Sequence, residues 1–95
     1  MMQLPPEFRK FLSSLNRHAV DYLVIGGYAV IFHGYVRTTA DIDIWVAVNP
    51  ENAARVEAEV DGLLIPFLNL DDLKANKAAA GRPKDLADLD YFSKP

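Results

Sequence analysis

Residues 41–48 read Asp-Ile-Asp-Ile-Trp-Val-Ala-Val, a strict alternation of polar or bulky with aliphatic side chains. A period of two fits a β-strand, whose successive side chains point to opposite faces. Ile42, Ile44, Val46 and Val48 then share one face, and Asp41, Asp43, Trp45 and Ala47 share the other. The apolar face has to be covered, so the segment predicts a sheet packed by other elements. Aspartate is depleted in strands, and two on one face repel each other across about 6.5–7 Å of strand rise. Either both carboxylates face solvent on a one-sided sheet, or a divalent cation bridges them. Magnesium suits the second case, because it takes a few carboxylate oxygens and completes its shell with water and phosphate.

The remainder of the chain supplies the covering elements. Leu4, Phe8, Phe11, Leu12 and Leu15 recur at helical spacing and predict an amphipathic helix over residues 6–17. Tyr22-Leu23-Val24-Ile25 reads as a buried strand ending at the Gly26-Gly27 turn, followed by a helix over 28–33 that stops at Gly34. Asn49-Pro50 is a good helix start, predicting a helix from Pro50 to about Val60. Leu63 to Leu68 contains Pro66 and predicts a short edge strand. Asn69 caps a helix running to about Ala80, and a last helix over 84–92 is expected to bury Leu86, Leu89 and Phe92. The predicted order is helix, strand, helix, strand, helix, short strand, helix, helix. That is an α/β (α+β) domain in which helices flank a small mixed sheet. With 95 residues, a single domain over 1–95 is expected.

Composition narrows the partners. A net charge of −3 gives no basic stripe for non-specific nucleic-acid binding. The absence of cysteine rules out disulfides and thiolate metal sites, and fits a reducing cytoplasm. No apolar run reaches the roughly 20 residues that span a bilayer, and residues 1–7 lack the pattern of a secretory signal.

Taken singly, Gly26-Gly27 is either a tight turn with close helix packing or a place where phosphate approaches bare backbone N–H groups. Arg37 either contacts phosphate or pairs with Asp41. Lys77, Arg82 and Lys84 form the one basic cluster, either a solvated helix end or a phosphate contact, with Lys77 foremost for the latter. Asp85 and Asp88 read as helix-dipole partners and caps. His18 and His33 lack a second ligand at metal spacing and read as structural. Trp45 and Tyr28 either line the cleft or pack in the core, and core packing is the expected role.

Together, Leu23-Val24-Ile25-Gly26-Gly27-Tyr28-Ala29-Val30, Gly34, and Arg37-Thr38-Thr39-Ala40-Asp41-Ile42-Asp43-Ile44 resemble the signature of the DNA polymerase β-type nucleotidyltransferase superfamily, with thirteen residues between Gly27 and Asp41. The likeness is greatest to the small prokaryotic, abortive-infection toxin-like branch. Leu70-Asp71-Asp72-Leu73, Lys77 and Gly81-Arg82-Pro83-Lys84-Asp85-Leu86-Ala87-Asp88-Leu89 resemble its closing helices. The resemblance implies Mg2+-dependent transfer of a nucleoside monophosphate from a nucleoside triphosphate to an acceptor hydroxyl. It assigns Asp41 and Asp43 as catalytic metal ligands, Gly26 and Gly27 as the phosphate turn, and Arg37 and Lys77 as nucleotide contacts.

In that family a further strand bears a third carboxylate. Here the acids available from the end of the expected third helix to Leu70 are Glu57, Glu59 and Asp61, none in a strand-like apolar context. The third ligand is therefore expected to be missing with its strand, and turnover weakened or lost. The alternative expectation is a non-catalytic interaction module, a toxin–antitoxin-like partner built on the same scaffold. Loss of a strand would also leave the Asp41–Val48 strand with an open edge, which predicts a homodimer that completes the sheet.

Overall fold

The structure, a computed structural model, describes residues 3–46 and 55–94. Its elements are α1 (Pro6–Arg17), β1 (Tyr22–Ile25), α2 (Gly26–Phe32), β2 (Asp43–Val46), β3 (Arg55–Val60), β4 (Leu63–Leu68), α3 (Leu70–Ala80) and α4 (Pro83–Phe92). The four strands form one mixed sheet in the order β2-β1-β4-β3. β1 runs antiparallel to β2 and parallel to β4, and β3 and β4 form an antiparallel hairpin. The expected mixed α+β architecture with flanking helices is therefore present. Among the described residues, no helix is long and apolar enough to cross a membrane.

β1 is an unbroken apolar run because it lies inside the sheet; Tyr22, Leu23 and Val24 are all buried. Phe67 lies beside Val24 and stacks on Phe32 of α2 at 4.1 Å between centroids. Phe8 of α1 meets Tyr28 of α2 edge to face at 5.6 Å, which puts Tyr28 in the core as expected. Leu12, Ala29, Val30, Ile65, Leu68 and Leu73 are fully buried as well. Phe11, expected on the inner face of α1, is exposed.

The third expected helix is corrected. Its described part, residues 55–60, is strand β3; the beginning, 50–54, lies outside the described residues. The reason is local. Val56, Ala58 and Val60 alternate with Arg55, Glu57 and Glu59, and Asp61-Gly62 follows as a two-residue turn with φ of 50° and 79°. An Asp-Gly pair with both φ positive is the turn that joins twisted antiparallel strands.

The edge position expected for Leu63–Leu68 is corrected as well, since β4 lies between β1 and β3. Counting outward from the turn, Pro66 opposite Glu57 falls at a non-hydrogen-bonded pair of the hairpin. Its missing N–H therefore costs that ladder nothing. It lies on the β1 side, where the pairing in register is Val24 with Phe67.

Smaller shifts concern the ends. α2 begins at Gly26 rather than residue 28, and β2 begins at Asp43, so Asp41 and Ile42 lie in the preceding loop. Residues 47 and 48 of the expected strand fall outside the described residues. The Asn69 cap is as expected, its side-chain oxygen accepting from the Asp72 N–H at 2.8 Å.

Candidate functional site

The site is assembled where β1 turns into α2. Register pairs Ile25 with Asp43, so the start of β2 lies directly beside the turn. Gly26 has φ of +67°, a conformation that L side chains rarely adopt. A Cβ there would collide with the Asp43 carboxylate, and one on Gly27 would lie 2.6 Å from the Thr39 hydroxyl oxygen. The two glycines thus let the 37–42 loop and the acidic strand close onto the turn. Thr39 donates its hydroxyl to the Asp41 carbonyl at 3.2 Å and shapes the loop that carries Asp41.

A cleft of about 440 Å3 opens in front of this turn. All six residues singled out from the sequence, Gly26, Gly27, Arg37, Asp41, Asp43 and Lys77, line it, joined by Arg82 and Lys84. Asp41 and Asp43 are exposed. Among the described residues neither has a cation within ion-pair distance.

The opposite wall is basic and tightly paired. Lys77 is 3% exposed and Asp85 and Asp88 are 1% exposed. The Lys77 ammonium lies 3.1 Å from Asp85 and 3.0 Å from Asp88. Arg37 donates to both oxygens of Asp88 at 2.8 Å each, a bidentate fork. Arg82 donates from Nε to Asp85 at 2.7 Å, and its backbone N–H reaches the same carboxylate at 3.2 Å in a capping box. The hydrogen bond from Arg82 lowers the Asp85 carboxyl to about 2; desolvation by burial opposes the shift, and Lys77 adds to it. The same pair raises Arg82 further above its ordinary range.

Several expectations change on this wall. Arg37 pairs with Asp88, and the alternative partner, Asp41, is left alone. Lys77 is not at a solvated helix end; it is the buried centre of the network. The inner face of α4 carries Asp85 and Asp88, while Leu86, expected to be buried, is 51% exposed. Lys77, Arg37 and Arg82 offer that face more than a hydrophobic surface would, so the acids turn inward. The signal was in the sequence as a carboxylate pair at i and i+3, neighbours on one helix face, after a lysine and an arginine. Trp45, expected in the core, is 39% exposed.

Metal-ligating capacity is limited. Among the described residues no group of three His, Cys, Asp or Glu side chains is placed to hold a metal ion. Glu57 and Glu59 do lie on a strand, contrary to the reading of that segment as non-strand. β3 is nonetheless the far edge of the sheet from β2. Three strand spacings separate them by about 14 Å, too far to share an ion with Asp43. Two exposed carboxylates with no protein cation fit one hard divalent ion whose remaining positions water and phosphate fill.

Comparisons of the chain with protein-family models, with curated proteins and with solved structures give no match. The cleft's own chemistry is therefore the basis for a functional reading.

Proposed function

We propose that the chain binds a nucleoside triphosphate together with Mg2+ in this cleft, and that transfer of a nucleoside monophosphate to an acceptor hydroxyl is weak or lost. The observation that carries the reading is the contrast in pairing between the aspartates on the cleft and those behind its wall. Asp85 and Asp88 hold cations of the protein, whereas Asp41 and Asp43 face the cleft without one.

Charge supports a metal-assisted ligand. The four cations lining the cleft are balanced by Asp41 and Asp43 at its rim and by Asp85 and Asp88 behind its wall. A triphosphate carrying about four negative charges then enters a site of no net charge, and a divalent ion supplies the missing attraction. Magnesium bound there would neutralise phosphate charge and polarise a phosphoryl oxygen.

The chain's own residues do the rest. Arg82 keeps its side chain 65% exposed and commits only Nε and Nη2 to Asp85, so Nη1 is free to donate to a phosphate oxygen. Lys84 is exposed at the cleft and adds a second donor. Lys77 and Arg37 are neutralised by buried acids and act as the wall that fixes the loop before Asp41. With no third carboxylate in reach among the described residues, activation of an acceptor hydroxyl by a second ion is unsupported, which is why transfer is expected to be weak.

Thermal unfolding with ATP, GTP, CTP and UTP, each with and without Mg2+, tests the proposal. A ligand at 100 times its Kd adds about 2.7 kcal/mol to stability. A magnesium-dependent rise that Asp43→Ala abolishes is the expected result; no rise with any nucleotide sinks the reading. A second reading, an interaction module joining a second copy or another protein chain, is favoured by the position of β2 at the sheet edge. Sedimentation equilibrium across concentration tests it, and a monomer at every concentration removes the homodimer.

A further inference from the structure

We infer that Trp45 is a stacking platform for the base of the bound nucleotide; the inference rests on the nucleotide-binding reading above and adds where the base lies. Trp45 is two residues from Asp43 on the same strand face, yet it is not taken into the core. Trp45 stays 39% exposed and lines a second cavity of about 640 Å3, with Ile25, Ile42, Ile44, Asn76, Ala80 and Arg82 around it. This cavity is continuous with the phosphate cleft, because Gly26, Asp43, Lys77 and Arg82 line both.

The second cavity shares the charged side chains of Asp43, Lys77 and Arg82 with the first, and adds groups that the first lacks: one large π-face, three isoleucines with Ala80, and one amide. An exposed indole beside a polar cleft costs the fold apolar burial, and a flat aromatic ligand recovers it. Asn76 carries both a donor and an acceptor, which suits the edge of a nucleobase. Arg82 lies between the cavities, so the end of its guanidinium can reach phosphate while its plane flanks the base. A ligand charged at one end and aromatic at the other matches this order along the surface: triphosphate at the glycine turn, base on Trp45.

The chain contains a single tryptophan, so its fluorescence reports this position alone. The full chain is titrated with MgATP and with magnesium tripolyphosphate, which has the phosphates but no base, and with MgCl2 as the blank. Both phosphate ligands are expected to raise the melting temperature, but only MgATP to quench Trp45 to saturation. Trp45→Ala should weaken MgATP at least about fivefold, since base–aromatic stacking is lost, and leave tripolyphosphate unchanged. Trp45→Phe should recover most of the affinity. Equal binding of ATP and tripolyphosphate, with fluorescence unmoved by either, overturns the base site and leaves phosphate binding standing. Failure of both ligands to raise the melting temperature overturns the nucleotide reading and this inference with it.

Discussion

Two pairs of aspartates, one behind the cleft's basic wall and one on the cleft, are treated by the protein in opposite ways. Asp85 and Asp88 are 1% exposed and hold Arg37, Lys77 and Arg82 around them. Asp41 and Asp43 are exposed and hold no cation among the described residues. Burying a carboxylate is tolerable only when charge and hydrogen bonds replace water, and the first pair has both. The second pair keeps water, and Asp43 feels Arg82 only at longer range than an ion pair. The first pair is thereby a structural device, and the second is the pair for which we propose a cation.

Removing one member of the buried pair is the most severe way to break the comparison. Asp88→Ala strips Arg37 of its bidentate partner and Lys77 of one of its two. Uncompensated buried charge typically costs about 3–5 kcal/mol. That is a large share of the stability of a domain this small, at roughly 0.05–0.15 kcal/mol per residue. Urea denaturation should show the midpoint collapse, with Asp88→Asn intermediate because it keeps an acceptor. A loss below about 1 kcal/mol would place Asp88 among ordinary surface acids.

The glycine turn links the two walls, and Gly26→Ala should cost about 1–3 kcal/mol. Part of that is the φ of +67°, and part is the collision with the Asp43 carboxylate. Adding Asp43→Ala removes the second part only. The double variant should therefore be more stable than Gly26→Ala alone, a non-additivity that denaturant midpoints measure. Strict additivity would mean that Asp43 does not sit against the turn.

Acid sharpens the contrast further. The Asp85 carboxyl titrates near 3.8 when unpaired and is held at about 2 in the fold. The folded state binds fewer protons than the unfolded one in this interval. The stabilisation is complete above about pH 4 and disappears as pH falls toward 2, a loss of about 1–2 kcal/mol once solvent screening of the exposed Arg82 is allowed for. Midpoints measured from pH 5 to pH 2 should flatten in Asp85→Asn.

What the sequence disclosed follows the range of each interaction. The Ile25-Gly26-Gly27 turn, the alternation around Asp43 and the Asn69 cap are set by neighbours within a few residues, and all were legible. The β3 strand was legible too, in the alternation of 55–60 and the Asp61-Gly62 pair, but the Asn49-Pro50 start signal outweighed it. Long-range choices were hidden. Nothing local says that Arg37 will find Asp88, 51 residues away, rather than Asp41. Likewise, α4 has leucines and aspartates on adjoining faces, and only the cations presented by α3 and the 37–42 loop decide which face turns in. Trp45 was misassigned for a related reason. A large aromatic residue defaults to the core, and only the open cavity beside it explains its exposure.

The gentlest substitution probes the exposed pair directly. Asp43→Ala removes repulsion from Asp41, which favours folding, and an attraction to Arg82 that acts at longer range, which opposes it. Both act across water, and surface substitutions of this kind usually stay within about 0.5 kcal/mol. The ligand-free variant should therefore denature almost where the parent does, while losing the magnesium-dependent stabilisation by nucleotide. A cost above about 1.5 kcal/mol without ligand would make Asp43 a structural acid like Asp85, because truncating an unpaired surface carboxylate leaves no buried partner behind. The distinction between the two pairs, and the case for a cation at the exposed one, would then be gone.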